Sequence, residues 1–227
     1  MKEIDIFRFE NGKKELKKDI VVFEKTLNIF IDNGFTDTLT YSNGCEKELA
    51  VGYLFLEEYI DSIKDIVGFK LHNKEYSANF FVKIKRKDYK KKPFQSVQIR
   101  GEKLLDMMRE MLSKGETFAR TGGTHISGLA NEEKLLYFFE DISRKSTIQK
   151  CAGTILLSNT NPKILFTSGR VLLYTVKYAS KMQIQIIASQ SAPSYLAIKE
   201  AQSSGITLIG FLRGSRFNIY SFPDSIL

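Results

Sequence analysis

Cysteine is scarce in this chain. Two residues of 227, Cys45 and Cys151, are too few for a disulfide framework or an all-cysteine metal site. There is no C-x-x-C and no H-x-E, which removes a zinc deaminase and leaves no metal site to expect. No Gly-Lys-Ser/Thr phosphate loop occurs and no G-x-G-x-x-G follows a strand, which argues against an ATPase or a dinucleotide dehydrogenase. No serine stands in a nucleophile-elbow context, although composition alone leaves a Ser-His-Asp triad open. Long apolar runs are missing as well, since nothing approaches the ~18 residues that span a bilayer. The opening MKEIDIFRFE alternates charged and apolar residues instead of building a signal-peptide core. These absences predict a soluble, cytoplasmic protein with no membrane partner.

What is present can fill a core. A content of 43% apolar and 12% aromatic residues excludes wholesale disorder, and 227 residues suffice for one large domain or two modest ones. The formal charge of +8 is local: Lys83 to Lys92, KIKRKDYKKK, carries seven basic residues and one Asp, a net +6 that leaves +2 for the rest. That run reads either as a solvated hairpin edge or as an electrostatic dock for an acidic partner. The partner would be a protein face, a nucleotide cofactor or, last in rank, RNA. Nucleic acid ranks last because aromatics do not interleave with the basic run as stacking platforms would.

Periodicity predicts an α/β protein. Residues 20–42 read as two strands about Asp32-Asn33-Gly34, with Val21, Val22, Leu27, Ile29 and Ile31 alternating. A helix over 46–59 follows on the stripe Leu49, Ala50, Tyr53, Leu54, Leu56, and a hairpin over 66–84 turns at His72 to Glu75. The next helix, 101–115, carries Leu104, Leu105, Met108 and Leu112 and stops at Gly115. The second half then alternates: strands near 124–130 and 134–139, helix 144–157, strand 163–167, helix 170–182, strand 184–189, helix 193–204, strands 206–212 and 217–221. Helices between short buried strands make βαβ units and a sheet covered on both faces, with a boundary to the first half near 95–120.

In such a sheet, ligands settle where the connecting loops open at the strand ends. Four loops stand out. Thr121-Gly122-Gly123-Thr124-His125 offers close backbone approach and donors, or is a plain tight turn. Thr167-Ser168-Gly169-Arg170 places a Ser-Gly pair before a helix, aiming free N–H groups outward, with Arg170 as a fork for phosphate or carboxylate. Ser191-Ala192-Pro193-Ser194 reads as a strand-to-helix loop with Pro193 as an early helical residue. Phe211-Leu212-Arg213-Gly214-Ser215-Arg216 sets two arginines about a Gly-Ser turn, with an aromatic near enough to stack on a base. Thr121 to Tyr220 is thus expected to receive an anionic, nucleotide-like ligand.

Taken in order, TGGTH (121–125), EDISRKSTIQK (140–150), FTSGR (166–170), SQSAPSYLA (189–197) and TLIGFLRGSRFNIYS (207–221) resemble the FdhD family of formate dehydrogenase accessory proteins. EKTLNIFIDNG (24–34) and SNGCEKELAVGYLFLEEYI (42–60) are similar to its opening strands and first helix, so the resemblance runs from about Asp19 to Ser221. It implies a small N-terminal α+β domain, 1–115, and a C-terminal cytidine-deaminase-like layered α/β/α domain, 116–227. It also implies a cytoplasmic, dimeric sulfur carrier. Such a protein takes sulfur from a cysteine desulfurase and passes it to the bis-guanylyl molybdenum or tungsten pterin cofactor of the formate dehydrogenase apoprotein, with GDP as an analogue of that ligand. The family's cofactor segment falls on Phe211, Leu212, Arg213, Gly214, Ser215 and Arg216.

The chain departs from the family where sulfur is concerned. The sulfur-carrying C-G-x-C-G loop belongs between the basic run and residue 101, and that stretch has no thiol. The family's D-V-G-R-H-N reads Asp141-Ile142-Ser143-Arg144-Lys145-Ser146, without the His and Asn, and a Glu usual after S-G-R is Tyr174. Cys45 stands where the family has His, just before a helix expected to begin at Glu46. A helix N-terminus there would lower its pKa and make it the substitute thiol; otherwise it is an inert small residue at a loop–helix junction. Cys151 lies in an apolar helix, as a buried structural thiol. The alternative to sulfur delivery is a catalytically silent cofactor- or nucleotide-binding chaperone, and behind that a basic RNA- or protein-binding module.

Overall fold

A computed structural model describes residues 1–42, 44–85 and 97–227. The basic run from Arg86 to Lys92 therefore lies outside the described residues. Strands β1 (Lys2–Glu10) and β2 (Lys13–Val21) form a two-stranded hairpin about Asn11-Gly12. This hairpin is not foreseen in the sequence, where Val21 and Val22 read as the start of the next strand. Instead β3 (Lys25–Ile31) opens the second hairpin and pairs with β4 (Gly34–Tyr41). Asp32 and Asn33 both take positive φ at its turn, the geometry a tight two-residue hairpin requires. Helix α1 (Glu46–Leu56) follows, and β5 (Ile66–Asn73) and β6 (Ser77–Ile84) complete a sheet in the order β4-β3-β6-β5, with β3 and β6 parallel.

The second half builds a six-stranded sheet from β7 (His125–Ala130), β8 (Leu135–Asp141), β9 (Ile164–Thr167), β10 (Ile186–Ser189), β11 (Thr207–Arg213) and β12 (Arg216–Ser221). Its order is β12-β11-β10-β9-β7-β8. Only β9, β10 and β11 run parallel, joined by α5 (Leu173–Lys181) and α6 (Tyr195–Ser204); β7, β8 and β12 are antiparallel additions at the flanks. Helix α2 (Gly101–Ser113) leads through α3 (Glu116–Thr121) into β7, and α4 (Arg144–Ser158) joins β8 to β9.

Alternation along the strands explains the layers. Ile164, Phe166, Ile186, Ala188 and Ile209 pack under α2 through Leu104, Met107, Met108 and Met111. Their neighbours Leu165, Ile187 and Leu208 face the other way, toward α4, α5 and α6. Helix α2 therefore covers a face of the six-stranded sheet although it precedes residue 115. The second cluster continues without a break through α1 into Leu27, Ile29, Phe80 and Val82 of the four-stranded sheet.

The junction is a very close helix crossing. A Cβ on Gly52 of α1 would stand 1.7 Å from the Gln149 carbonyl oxygen, and one on Gly153 of α4 would stand 1.9 Å from that of Glu48. Only glycine lets the two backbones touch. Beside the crossing, the buried Lys150 Nζ meets Asp141 Oδ2 at 2.6 Å and donates to the Ser42 carbonyl oxygen at 2.7 Å, pinning the loop before α1 onto α4.

Candidate functional site

Because β7 runs against β9, with Ser127 opposite Thr167, His125 at the start of β7 lies at the same sheet edge as the loops leaving β9, β10 and β11. Hydrogen bonds tie these loops together. Ser168 Oγ accepts from the Ile126 amide (2.9 Å), Ser191 Oγ donates to the Ser168 carbonyl (2.9 Å), Ser189 Oγ donates to that of Gly169 (2.7 Å), and the Phe211 amide donates to that of Ser191 (3.1 Å). The four sequence-selected loops thus form one continuous rim.

The rim's backbone differs from expectation. The Ser168 amide donates to the Ile126 carbonyl (2.8 Å) and the Gly169 amide to Thr167 Oγ1 (3.2 Å), so neither is free for an anion. Helix α5 begins at Leu173 rather than at Arg170, because Val171 is held in a bridge to Pro193. Likewise α6 begins at Tyr195, with Ser194 Oγ capping the Ala197 amide and Pro193 outside the helix. In the first loop, Gly122 at φ +63° is the left-handed C-cap of α3, and its amide closes onto the Phe118 carbonyl. The Gly123 amide donates to Thr121 Oγ1 (3.1 Å), and Thr124 Oγ1 donates to Glu140 Oε1 (2.5 Å). Glu140 also accepts from the Thr117 and Phe118 amides, so it occupies the N-terminus of α3.

Side chains carry what the amides do not. Arg213 and Arg216 face each other across the β11–β12 turn, exposed, with Gly214 at φ +62° between them; Leu212 is buried, and Phe211 at φ +55° puts its ring 5.7 Å from the Arg213 guanidinium. Arg170, in the loop leaving β9, is exposed too. Arg144, in the first turn of α4, crosses above Gly169, where a Cβ would stand 2.5 Å from its Cδ. It also approaches His125, whose pKa is held below the ordinary histidine value by burial first and by the Arg144 charge second. Among the described residues, none of these four arginines makes an ion pair; the one arginine–carboxylate pair is Arg109 with Asp106. Arg144 and the exposed Tyr195 at the start of α6 are members of the rim that loop composition alone did not select, although both stand inside the motifs quoted above.

Cys45 lies apart, at the β8 end of the sheet. It is the N-cap of α1 at φ +60°, exposed, and lines a cleft of about 300 Å³. Lys114, Thr117, Phe138, Glu140 and Lys150 line that cleft with it. The expected fall in its pKa is reversed: burial pushes the thiol up, Lys150 offsets part of this, and Glu48, Glu46 and Asp141 add to the rise. Cys151 is fully buried in α4. Between β8, whose residues line the Cys45 cleft, and β11, which leads into the arginine turn, lie four strand steps, roughly 19 Å of sheet at ~4.8 Å per step.

Fold and rim define a layered α/β protein whose strand-end loops carry arginines without carboxylate partners among the described residues. The chain belongs to the FdhD/NarQ family, whose model matches residues 77–227. It is 30% identical to the sulfur carrier protein FdhD of Bacillus subtilis, over 98% of this chain and 96% of that one. It is 28% identical to the sulfur carrier protein FdhD of Methanothermobacter thermautotrophicus, over 100% of this chain and 98% of the relative. Its fold matches the crystal structure of a proposed formate dehydrogenase accessory protein from Desulfotalea psychrophila at a TM-score of 0.88 and 23% identity, over 99% and 98% of the two chains.

Proposed function

We propose that this protein is an accessory factor for formate dehydrogenase maturation, and that its rim holds the guanylyl end of a bis-guanylyl molybdenum or tungsten pterin as cargo. One observation carries the reading: Arg144, Arg170, Arg213 and Arg216 all stand at or beyond one end of the six-stranded sheet, with no ion pair among the described residues. Guanidinium forks match phosphate oxygens in pairs, and the Phe211 ring beside Arg213 offers an aromatic face for a base. The names of the relatives, sulfur carrier and formate dehydrogenase accessory protein, support the same role. In this reading the protein works in the cytoplasm, as a homodimer, with a cysteine desulfurase and the formate dehydrogenase apoprotein as partners.

Calorimetry with GDP tests the rim. Losing one charge-assisted hydrogen bond in Arg213→Ala or Arg216→Ala costs about 1.5–3 kcal/mol, hence roughly 10- to 150-fold in affinity. Equal affinity for wild type and both variants would remove the arginine turn from the site.

A second reading, sulfur carriage on Cys45, is favoured by the cleft that Cys45 lines. The Cys45 thiolate would attack the outer sulfur of a desulfurase persulfide; a new S–S bond forms on Cys45 and the desulfurase thiolate leaves. The raised pKa works against this step, so binding ranks ahead of transfer. Incubation with a cysteine desulfurase and cysteine, followed by intact-mass measurement, decides. A gain of one sulfur that disappears in Cys45→Ala supports carriage; no gain leaves the silent cofactor-binding chaperone.

A further inference from the structure

The outer face of the four-stranded sheet has no covering layer among the described residues. Along β6, buried Ala78, Phe80 and Val82 alternate with half-buried Asn79 and Phe81 and exposed Lys83. The strand registers align one row across the whole sheet: Lys70 beside Phe81, Phe81 beside Phe30, Phe30 beside Phe35, which is 64% exposed. The next row is polar, with Asn28 Nδ2 donating to Asn79 Oδ1 (2.9 Å) and Thr38 Oγ1 to Asn28 Oδ1 (2.8 Å). Where β5 meets β6 a cavity of about 560 Å³ opens, lined by Val67, Phe69, Lys70, His72, Phe81 and Lys83. It shares no residue with the rim or with the Cys45 cleft. Strand β5 ends the sheet, so among the described residues alternate N–H and C=O groups of Ile66–Asn73 face outward without a ladder partner.

Ring geometry decides between a nucleic acid and a protein here. Phe30 and Phe81 stack on each other at 4.6 Å and 17°, Phe35 meets Phe30 edge-on at 5.7 Å, and His72 leans on Phe81 at 5.6 Å. The rings use their faces on one another and leave no open platform for a base. What they offer outward is an apolar ridge. Charge decides the sign of the occupant: Lys70, Lys83 and Lys85 border the ridge, none in an ion pair among the described residues, and the sequence continues from there into the basic run.

We propose that this face docks an extended, acidic segment of a partner protein, which adds as a fifth strand along β5. Strand alternation puts its carboxylates on the face of Lys70 and Lys83 and its apolar side chains on the opposite face, over the exposed Val67 and Phe69 that also line the cavity. The surface lies on a different sheet from the rim, so it stands or falls independently of the cofactor.

Fluorescence anisotropy on the full chain reads this site with a labelled, end-blocked ten-residue peptide alternating glutamate and valine. Saturable binding is expected at low salt, weakening as salt rises, together with slowed amide exchange in Ile66–Asn73. The Lys70→Glu/Lys83→Glu double variant is expected to lose at least about tenfold in affinity, since interfacial charge pairs couple by ~1.5 kcal/mol or more. Both lysines are exposed, and an unchanged thermal midpoint checks that the variant keeps its fold. The idea is overturned by no binding up to millimolar peptide, by equal binding of a lysine–valine counterpart, by unaltered affinity in the double variant, or by tighter binding of a labelled oligothymidylate.

Discussion

At Cys45 two opposing influences meet on one sulfur. Burial and three carboxylates, Glu46, Glu48 and Asp141, outweigh the Lys150 ammonium, so the neutral thiol is favoured. Alkylation by iodoacetamide is therefore expected to accelerate only as pH climbs above the ordinary thiol range near ~8.5. A rate already at its plateau by pH 7.5 would contradict that environment. His125 shows the opposite sign. Its folded-state pKa lies below the ordinary ~6.5, so between the two values the folded chain binds fewer protons than the unfolded one. Its contribution to stability is complete above pH ~6.5 and falls as pH drops below it. Urea midpoints at pH 7.5 and 5.5 should separate less in His125→Gln than in wild type. Lys150 is a third case: it was legible only as one basic residue inside a motif, because nothing in its helix announces that Asp141 and the Ser42 carbonyl will enclose it. Lys150→Met strands a buried carboxylate and should cost about 3–5 kcal/mol by urea titration.

Elements were easier to read than residues. The strands and helices of the alternating second half after α3 have their counterparts in the apolar periodicity, most plainly β9, β10 and β11, which are buried on both faces and nearly continuous apolar runs. The β1–β2 hairpin escaped because its alternation answers to no core: Phe7, Phe9 and Leu16 are all more than 60% exposed. The short α3 was hidden by its dependence on Glu140, a residue of another strand that caps it. The rim was legible by composition, but not the destination of its amides, which depends on which strands come to lie side by side. The crossing of α1 and α4 gives the clearest element-scale expectation. Gly52→Ala or Gly153→Ala drives a methyl group into a backbone carbonyl, so either should reach or exceed the upper end of the about 1–3 kcal/mol typical of overpacked cores. A change within a few tenths of a kcal/mol would mean that the helices can part.

At the scale of the molecule, one apolar cluster runs from Leu27 of the first sheet through α1 and α4 to Leu208 of the second. Unfolding is therefore expected as a single transition, with circular dichroism and tyrosine fluorescence coincident in urea. Two resolved transitions would show that the sheets hold themselves up separately. The glycine crossing at the centre of that cluster has a mechanical meaning too. Two helices touching backbone to backbone have no side-chain cushion to compress and no groove to slide along, so they behave as one stiff beam. The loop bearing Cys45 is fastened to that beam at Ser42, and Arg144 rides on its other member. Whatever displacement accompanies loading of a ligand is then borne by the parts that the beam does not hold: the β11–β12 tip and the projecting β1–β2 arm.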